Sequence, residues 1–204
     1  HRHNVRRPEI VQARLDQIAQ ARQLTSDEAV NAVATMQAKA LVDQIRVAQE
    51  HVAEFEEAIA QKFKEHPDRA LFHGLPGAGP ALAPRLLVAF GTDRGRYPDP
   101  ESFQKYSGLA PVREKSGSSV WIHWRWNAPT FLRQSLVEWA GQTVVYCQWA
   151  KAYYRRMKDK GKYHAAILRA LAFKWVRILW RCWQTRTPYD DARYCAALKA
   201  AQSP

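Results

Sequence analysis

Apolar residues recur along the first third of the chain in steps that alternate between four and three residues. The heptad seam that results consists of Ala34, Ala38, Leu41, Ile45, Ala48, Val52, Phe55 and Ile59. This spacing predicts a long helix, and Thr25-Ser26-Asp27-Glu28 predicts its start as a capping box. An earlier helix is predicted over residues 8–23, with Pro8 in its first turn. Together they predict a long helical hairpin or coiled coil that joins copies of the chain; the alternative is an amphipathic helix packed on its own domain.

The pattern changes at His66-Pro67-Asp68. We expect a helical coiled-coil and linker region over residues 1–66 and a second domain over residues 67–204. In the second domain, helices are predicted for the apolar stretch up to Phe90, for a short segment capped by Asp99-Pro100-Glu101, and for residues 129–157 and 162–184. The predicted fold class is therefore mainly α.

The segment Leu75-Pro76-Gly77-Ala78-Gly79 precedes the apolar stretch and has the composition of a helix-hairpin-helix turn. Gly77 and Gly79 permit a sharp turn, and the free N–H groups at the start of the next helix can hold a phosphate. Pro80 removes one of those donors. A plain turn between two helices is the alternative.

A polar cluster, Ser116-Gly117-Ser118-Ser119, follows Arg113 and Lys115. The glycine frees the backbone for a close approach, and the two cations would attract an anion, so the cluster can present a serine oxygen to a phosphate. An ordinary polar turn is the alternative. Apolar and polar residues then alternate from Val120 to Trp126, which predicts a strand or hairpin arm after a short extended serine loop.

The positive charge of the chain is concentrated in one segment. The net charge is +12, and residues 113–186 contain 15 basic and three acidic residues together with all eight tryptophans. A basic segment mixed with aromatic residues is typical of a nucleic-acid partner, whereas a basic surface over a tryptophan-rich core is the alternative. Arg125 and Arg133 are candidate phosphate contacts. So are three lysines in one turn and three arginines on one face of the last predicted helix: Lys158, Lys160, Lys162, Arg169, Arg177 and Arg181.

Several classes of protein are disfavoured by composition. The three cysteines have no CxxC spacing and the seven histidines no HExxH spacing, which argues against a disulfide scaffold and against a metal site in this chain. No apolar run reaches membrane-spanning length, and no secretory signal is recognisable. We therefore expect a cytoplasmic protein that has no membrane partner.

Five motifs occur in a characteristic order along residues 74–191. They are Leu75-Pro76-Gly77-Ala78-Gly79, Leu86-Leu87-Val88-Ala89-Phe90-Gly91, Phe103-Gln104-Lys105-Tyr106-Ser107-Gly108-Leu109-Ala110-Pro111, Ser116-Gly117-Ser118-Ser119 and Phe131-Leu132-Arg133-Gln134. This series resembles the C-terminal transposase domain of the DEDD-type insertion-sequence transposases, which are related to Piv-type DNA invertases and are called bridge-RNA-guided recombinases. The preceding segment resembles the coiled-coil region of that family.

The resemblance implies a catalytic role for Ser116, whose hydroxyl would attack a DNA phosphate and form a covalent phosphoserine intermediate. Ser118 and Ser119 are rival nucleophiles or phosphate donors. The resemblance also implies DNA and a guide RNA as partners, and an N-terminal RuvC-like domain whose four acidic residues bind Mg²⁺. That acidic domain is not found in the sequence, so we expect the chain to be the C-terminal half of a larger protein, without a cofactor of its own.

One element departs from the family pattern. Where relatives often have a Lys-x-Gly-Asn element before the Leu-Arg pair, this chain has Arg125-Trp126-Asn127-Ala128-Pro129. The contacts to guide RNA or DNA that this element would make are therefore open. Two other functions compete with a recombinase: a non-catalytic helix-hairpin-helix module that only binds nucleic acid, and a coiled-coil oligomerisation protein with an incidental basic surface.

Overall fold

The computed structural model describes residues 8–22, 25–123 and 125–200. These residues form nine α-helices, one short 3-10 helix and one two-stranded β-hairpin, which confirms the mainly α class. The chain divides into two compact units, His1–Glu54 and Phe55–Pro204. The predicted boundary after residue 66 lies one residue beyond the end of the second helix at Glu65. The roles expected of the two regions stay predictions.

The first unit contains α1 (Pro8–Ala19) and most of α2 (Glu28–Glu65). Helix α2 begins because Asp27 Oδ1 accepts hydrogen bonds from the N–H groups of Ala29 at 2.9 Å and Val30 at 3.2 Å. The cap is therefore Asp27 and not the predicted Thr25, whose Oγ1 accepts from the Asp27 N–H. Helix α1 ends at Ala19, before the predicted limit at residue 23. Residue 23 itself lies outside the described residues. None of the described side chains of either helix is buried.

The second unit begins with the end of α2 and continues through seven further helices, the 3-10 segment Arg94–Arg96 and the hairpin. In chain order these elements are α3 (Arg69–His73), α4 (Gly79–Phe90), α5 (Pro100–Tyr106), β1 (Val112–Ser116), β2 (Ser119–His123), α6 (Thr130–Tyr146), α7 (Gln148–Asp159), α8 (His164–Thr185) and α9 (Asp191–Ala200). Helix α6 contacts α4, α7 and α8, and α8 also contacts α5 and α7. The hairpin extends from this helical body.

Three tryptophans, Trp139, Trp175 and Trp183, are fully buried at the centre of the second unit. Each buried indole N–H has an acceptor: the Pro76 carbonyl at 3.0 Å, Thr143 Oγ1 at 2.9 Å and the Gly91 carbonyl at 2.8 Å, respectively. A buried tryptophan stabilises a core only when its polar atom is bonded in this way. The expectation that part of the tryptophan content forms a core is confirmed.

The prediction of one long helix over residues 129–157 is wrong, because the structure has two helices there, separated at Cys147. That residue has extended backbone angles (φ −129°, ψ 122°) and separates α6 from α7. Its side chain is buried, and Sγ donates to Asp191 Oδ1 at 3.4 Å, so the break turns the thiol into the core. Burial raises the pKa of the Cys147 thiol to about 11. Helix α9, which supplies Asp191, was not predicted either.

An ion pair connects the start of α3 with the 3-10 segment. Arg94 donates two hydrogen bonds of 2.7 Å to the carboxylate of Asp68, and its guanidinium lies 4.7 Å from the Trp183 ring centroid. A third hydrogen bond, 3.2 Å long, joins Arg94 Nε to the Trp183 carbonyl. The hydrogen bonds from Arg94 are the main reason that the pKa of Asp68 is lowered.

Candidate nucleic-acid interface

The serine cluster lies at the tip of the β-hairpin. Strands β1 and β2 are antiparallel, and Ser116 and Ser119 form the last pair before the two-residue turn Gly117-Ser118. Gly117 has a φ of +60°, as expected for a hairpin turn with glycine at its first central position. All three serines are exposed. Where a short extended serine loop was predicted, the structure has the end of β1 and a tight turn. The strand or hairpin arm predicted from Val120 onward corresponds to β2. Trp124, which belongs to the same alternating pattern, lies outside the described residues.

The strand register separates Ser116 from the two neighbouring cations. Residues that pair directly across the hairpin share a face, so Ser116 lies with Ser119, Glu114, Trp121 and His123. Arg113 and Lys115, paired with Ile122 and Val120, lie on the opposite face. An anion held by both cations would therefore approach the hairpin from the side away from the Ser116 hydroxyl.

The face that carries Ser116 also carries a hydrogen-bonded acid and imidazole. His123 Nε2 and Glu114 Oε1 are 2.8 Å apart. Glu114 lies two residues from Ser116 on the same strand, a separation of about 7 Å. The acid and the imidazole therefore share the face of Ser116, and the acid is hydrogen-bonded to the imidazole.

Arg125 and Arg133 meet at the base of the hairpin. Arg133 Nη1 donates to the Arg125 carbonyl at 3.5 Å. The loop between them is held close to the end of α5 by Gly108, which has a φ of +71° and whose replacement by any larger residue would place a Cβ 2.5 Å from Ala128 Cβ. This close approach requires glycine. The two arginines that the sequence singled out are thus brought together.

Two cavities lie next to the base of the hairpin, and Lys105 lines both of them. The larger, of about 640 Å³, is lined by Lys105, Tyr106, Arg125, Asn127, Ala128 and Pro129. The second, of about 490 Å³, lies between α5 and α8 and includes Lys105, Pro111 and Arg177. Lys105 therefore links the predicted contacts Arg125 and Arg177. Lys105, Tyr106 and Asn127 were not among the predicted site residues. The first two lie within one of the five family motifs, and Asn127 lies within the element that departs from the family pattern.

The lysine turn connects α7 to α8 as expected. Lys158, Lys160 and Lys162 are all exposed, and Gly161 adopts a φ of +72° within the turn. Beyond it, Arg177 and Arg181 lie on the exposed side of α8, whereas Arg169 is half-buried and burial lowers its pKa. Trp180, between these two arginines along the chain, donates its indole N–H to the Tyr97 carbonyl at 2.9 Å and packs against the core of the second unit.

The glycine turn before α4 lies away from the serine hairpin. Gly77 packs on the C-terminal half of α6, where an added Cβ would lie 2.8 Å from Tyr146 Cδ2 and 2.9 Å from Gln142 Cβ. Gln142 is nine residues beyond Arg133, or about 14 Å along α6. Gly77 therefore serves this close helix contact, whereas Gly79 is open to solvent; their phosphate contacts stay predictions.

Within residues 8–22, 25–123 and 125–200, no group of three His, Cys, Asp or Glu side chains is placed to hold a metal ion. Among the helices that the structure describes, none combines the length and apolar character needed to cross a bilayer.

Residues 69–155 match the model of a protein family described as the Transposase IS116/IS110/IS902 family. The chain is 33% identical over 144 residues to a candidate transposase of the IS117 mini-circle from Streptomyces coelicolor. It is 28% identical over 155 residues to an uncharacterized 43.6 kDa protein of insertion element IS110 from the same organism. It is 24% identical over 161 residues to an uncharacterized 42 kDa protein of insertion element IS900 from Mycobacterium paratuberculosis.

These alignments cover most of this chain but less than half of each relative. The alignment with the IS117 relative includes 71% of this chain and 35% of the relative. The corresponding shares are 74% and 37% for the IS110 relative, and 77% and 40% for the IS900 relative. The chain therefore corresponds to well under two thirds of the length of the proteins that it matches.

Proposed function

Since residues 69–155 match the model of the Transposase IS116/IS110/IS902 family, we propose that this chain belongs to that family, binds DNA and presents Ser116 as the nucleophile of DNA transposition. The observation that supports this most strongly is the position of Ser116, which is exposed at the end of β1 and beside the hairpin turn. A hydroxyl at a protruding tip can reach a phosphate that the helical body itself could not contact.

The proposed step exchanges one phosphoester bond for another. A bond forms from Ser116 Oγ to a DNA phosphorus, and the bond from that phosphorus to one deoxyribose oxygen breaks. The serine loses its hydroxyl proton, and the released deoxyribose oxygen gains a proton. A later attack by a DNA hydroxyl on the phosphoserine reverses the exchange and frees the serine.

The chain does not supply the activation of the serine by itself. A serine hydroxyl is a weak nucleophile at its own pKa and needs a base or a metal ion. Glu114 is the only carboxylate on the described Ser116 face, and it is already bonded to His123. Mg²⁺ prefers several oxygen ligands, which this face does not offer. The described residues around Ser116 therefore do not fit a Mg²⁺ site.

We infer that Mg²⁺ and its acidic ligands come from a RuvC-like domain outside this chain, as the resemblance implies. The 204-residue chain alone would then bind nucleic acid without cleaving or rejoining DNA. Binding to a guide RNA and a cytoplasmic location belong to the same proposal, and both stay predictions.

The lysine turn offers a test of nucleic-acid binding. Replacing Lys158, Lys160 and Lys162 by glutamine is expected to reduce the slope of log K against log salt by about 0.9 for each phosphate contact that is lost. Fluorescence anisotropy with a DNA duplex between roughly 50 and 200 mM salt measures this slope. Glutamine replacement of Lys39, Lys62 and Lys64 on α2 is the matched control, because it removes the same charge outside the basic segment. An equal change in both triple variants would contradict a role for the turn.

Self-association through α2 is a further part of the proposal. The apolar side chains of the heptad seam are exposed to solvent in the single chain, since Ile45 is 56% exposed and no described residue of α2 is buried. Ile45→Glu is expected to weaken association at least tenfold, roughly the effect of burying a charge in a helical seam. Val47 is 52% exposed but lies off the seam, so Val47→Glu is the control. Sedimentation equilibrium distinguishes the two, and a monomeric wild type at all concentrations would exclude the coiled coil.

A non-catalytic nucleic-acid module remains the second candidate function. One observation favours it: among the described residues, no carboxylate is hydrogen-bonded to Ser116 Oγ, and Glu114 on the same face is bonded to His123. The two functions differ in their response to Ser116→Ala, because a module that only binds would retain its activity.

A further inference from the structure

The larger cavity at the base of the hairpin has a composition that the proposed serine chemistry does not use. Its volume is about 640 Å³, and it lies between the end of α5 and the loop that follows β2. The loop is ordered by a hydrogen bond of 3.1 Å from the Ala128 N–H to the Trp126 carbonyl and by its contact with Gly108. The walls are therefore formed before any ligand binds.

Tyr106 forms an aromatic wall of the cavity. It is 42% exposed, and its hydroxyl accepts a hydrogen bond of 2.9 Å from Arg96 Nη2. The Arg96 guanidinium lies 5.1 Å from the Tyr106 ring centroid, and the buried Tyr97 ring lies 5.7 Å away. Because these contacts hold the ring in place, a nucleobase could stack on its remaining surface at little cost in side-chain entropy.

The polar groups of the cavity suit a phosphate and a base edge. Arg125 lines the cavity and supplies a guanidinium cation for a phosphate oxygen; its Nε is buried and has no hydrogen-bond partner among the described residues. Lys105 adds a second cation; its ion pair with Glu101, 3.0 Å long, is exposed and therefore weak. The exposed amide of Asn127 offers both a donor and an acceptor.

We propose that this cavity binds one unpaired nucleotide of a DNA or RNA strand, with its base on Tyr106 and its phosphate on Arg125 and Lys105. An aromatic ring, an amide and two cations in one cavity match the base and the phosphate of a nucleotide, whereas a paired base in a duplex has no free face to stack. The proposal rests on the proposed function, because it assigns a strand contact to the same interface. The strand would be anchored next to the base of the hairpin, whose strand β1 extends about 14 Å from Val112 to Ser116.

The test compares single-stranded and duplex oligonucleotides of the same sequence, about a dozen nucleotides long, by fluorescence anisotropy. Tyr106→Ala is expected to weaken single-strand binding roughly fivefold or more, the effect of losing one stacked base. Duplex binding should change by less than about twofold, because a duplex base cannot reach the ring. Tyr106→Phe keeps the ring and is expected to keep single-strand affinity. A DNA strand and an RNA strand are titrated separately, and the tighter one identifies the source of the nucleotide.

Tyr163→Ala is the matched control, because Tyr163 is 85% exposed and lies outside the cavity. Asn127→Asp is a second test variant at an exposed position, which adds a negative charge to the cavity without disturbing the Tyr106 contacts. It is expected to weaken single-strand binding by a similar factor, roughly fivefold. Thermal unfolding of each variant verifies that it is folded.

Three outcomes would overturn the nucleotide site. If Tyr106→Ala and Asn127→Asp both bind the single strand as wild type does, the cavity does not hold a nucleotide, although DNA binding by the chain stands. If Tyr163→Ala loses as much affinity as Tyr106→Ala, stacking is not specific to the cavity. A wild-type chain that binds neither strand nor duplex would overturn the proposed nucleic-acid function together with this site.

Discussion

Ser116→Ala is expected to abolish DNA transposition by a transposase that combines this chain with the acidic domain proposed above; the rate should decrease at least about 1,000-fold. The substitution removes one oxygen from an exposed strand end, so it should leave the hairpin and the helical body intact. DNA affinity should stay within about twofold of wild type, because an exposed neutral side chain carries no phosphate charge. A transposition assay and an anisotropy titration on the same variant separate catalysis from binding.

Ser118→Ala and Ser119→Ala are the controls for this prediction. Ser118 occupies the turn and Ser119 pairs with Ser116, so all three hydroxyls are within the same few ångströms of the tip. We expect both control variants to keep transposition. Loss of activity in either control but not in Ser116→Ala would transfer the nucleophile to that serine, and full activity in Ser116→Ala would leave only the binding function.

Arg94→Ala is expected to destabilise the helical body by about 3 kcal/mol, since it leaves a carboxylate without its partner in a poorly solvated place. The side chains of Arg94 and Asp68 are only 18% and 12% exposed, and Arg94 also covers Trp183. Urea unfolding measures the loss. Arg96→Ala, in the same 3-10 segment but exposed, should cost less than about 1 kcal/mol. Equal costs for the two variants would show that the ion pair does not matter.

Because of the same ion pair, we expect the free energy of unfolding to decrease as the medium becomes acidic. The pKa of Asp68 is lowered in the folded chain, so the carboxylate contributes stability above the unfolded pKa of about 4. That contribution is lost as the pH decreases from about 4 through the folded pKa. The difference in unfolding free energy between wild type and Asp68→Asn should therefore shrink below about pH 4. In an Arg94→Ala background most of this dependence should disappear.

Local patterns in the sequence were sufficient for several of the regular elements. The heptad seam predicted α2, the pattern over residues 162–184 predicted α8, and the alternation after Ser119 predicted β2. Each of these signals lies within the element that it describes. Arg125 and Arg133 were each predicted as phosphate contacts, and it is the structure that brings them together.

Features that depend on distant contacts were not predictable in this way. Cys147 is neither proline nor glycine, and it breaks the helix because its thiol is buried beside Asp191, 44 residues later. The opposite faces of Ser116 and its neighbouring cations follow from the position of the turn, which the sequence alone left open. The cavity beside Tyr106 exists only because Gly108 lets the loop at Ala128 approach α5.

The most direct test of the central claim is mass spectrometry of the protein–DNA adduct trapped during strand exchange. Trypsin cuts after Lys115 and Arg125, so one peptide, residues 116–125, contains all three candidate serines. Fragment ions separate its first residue from the other two. We expect the nucleotide phosphate on Ser116. An adduct on Ser118, on Ser119 or on any residue outside this peptide, in a protein that is transposing DNA, would contradict the account.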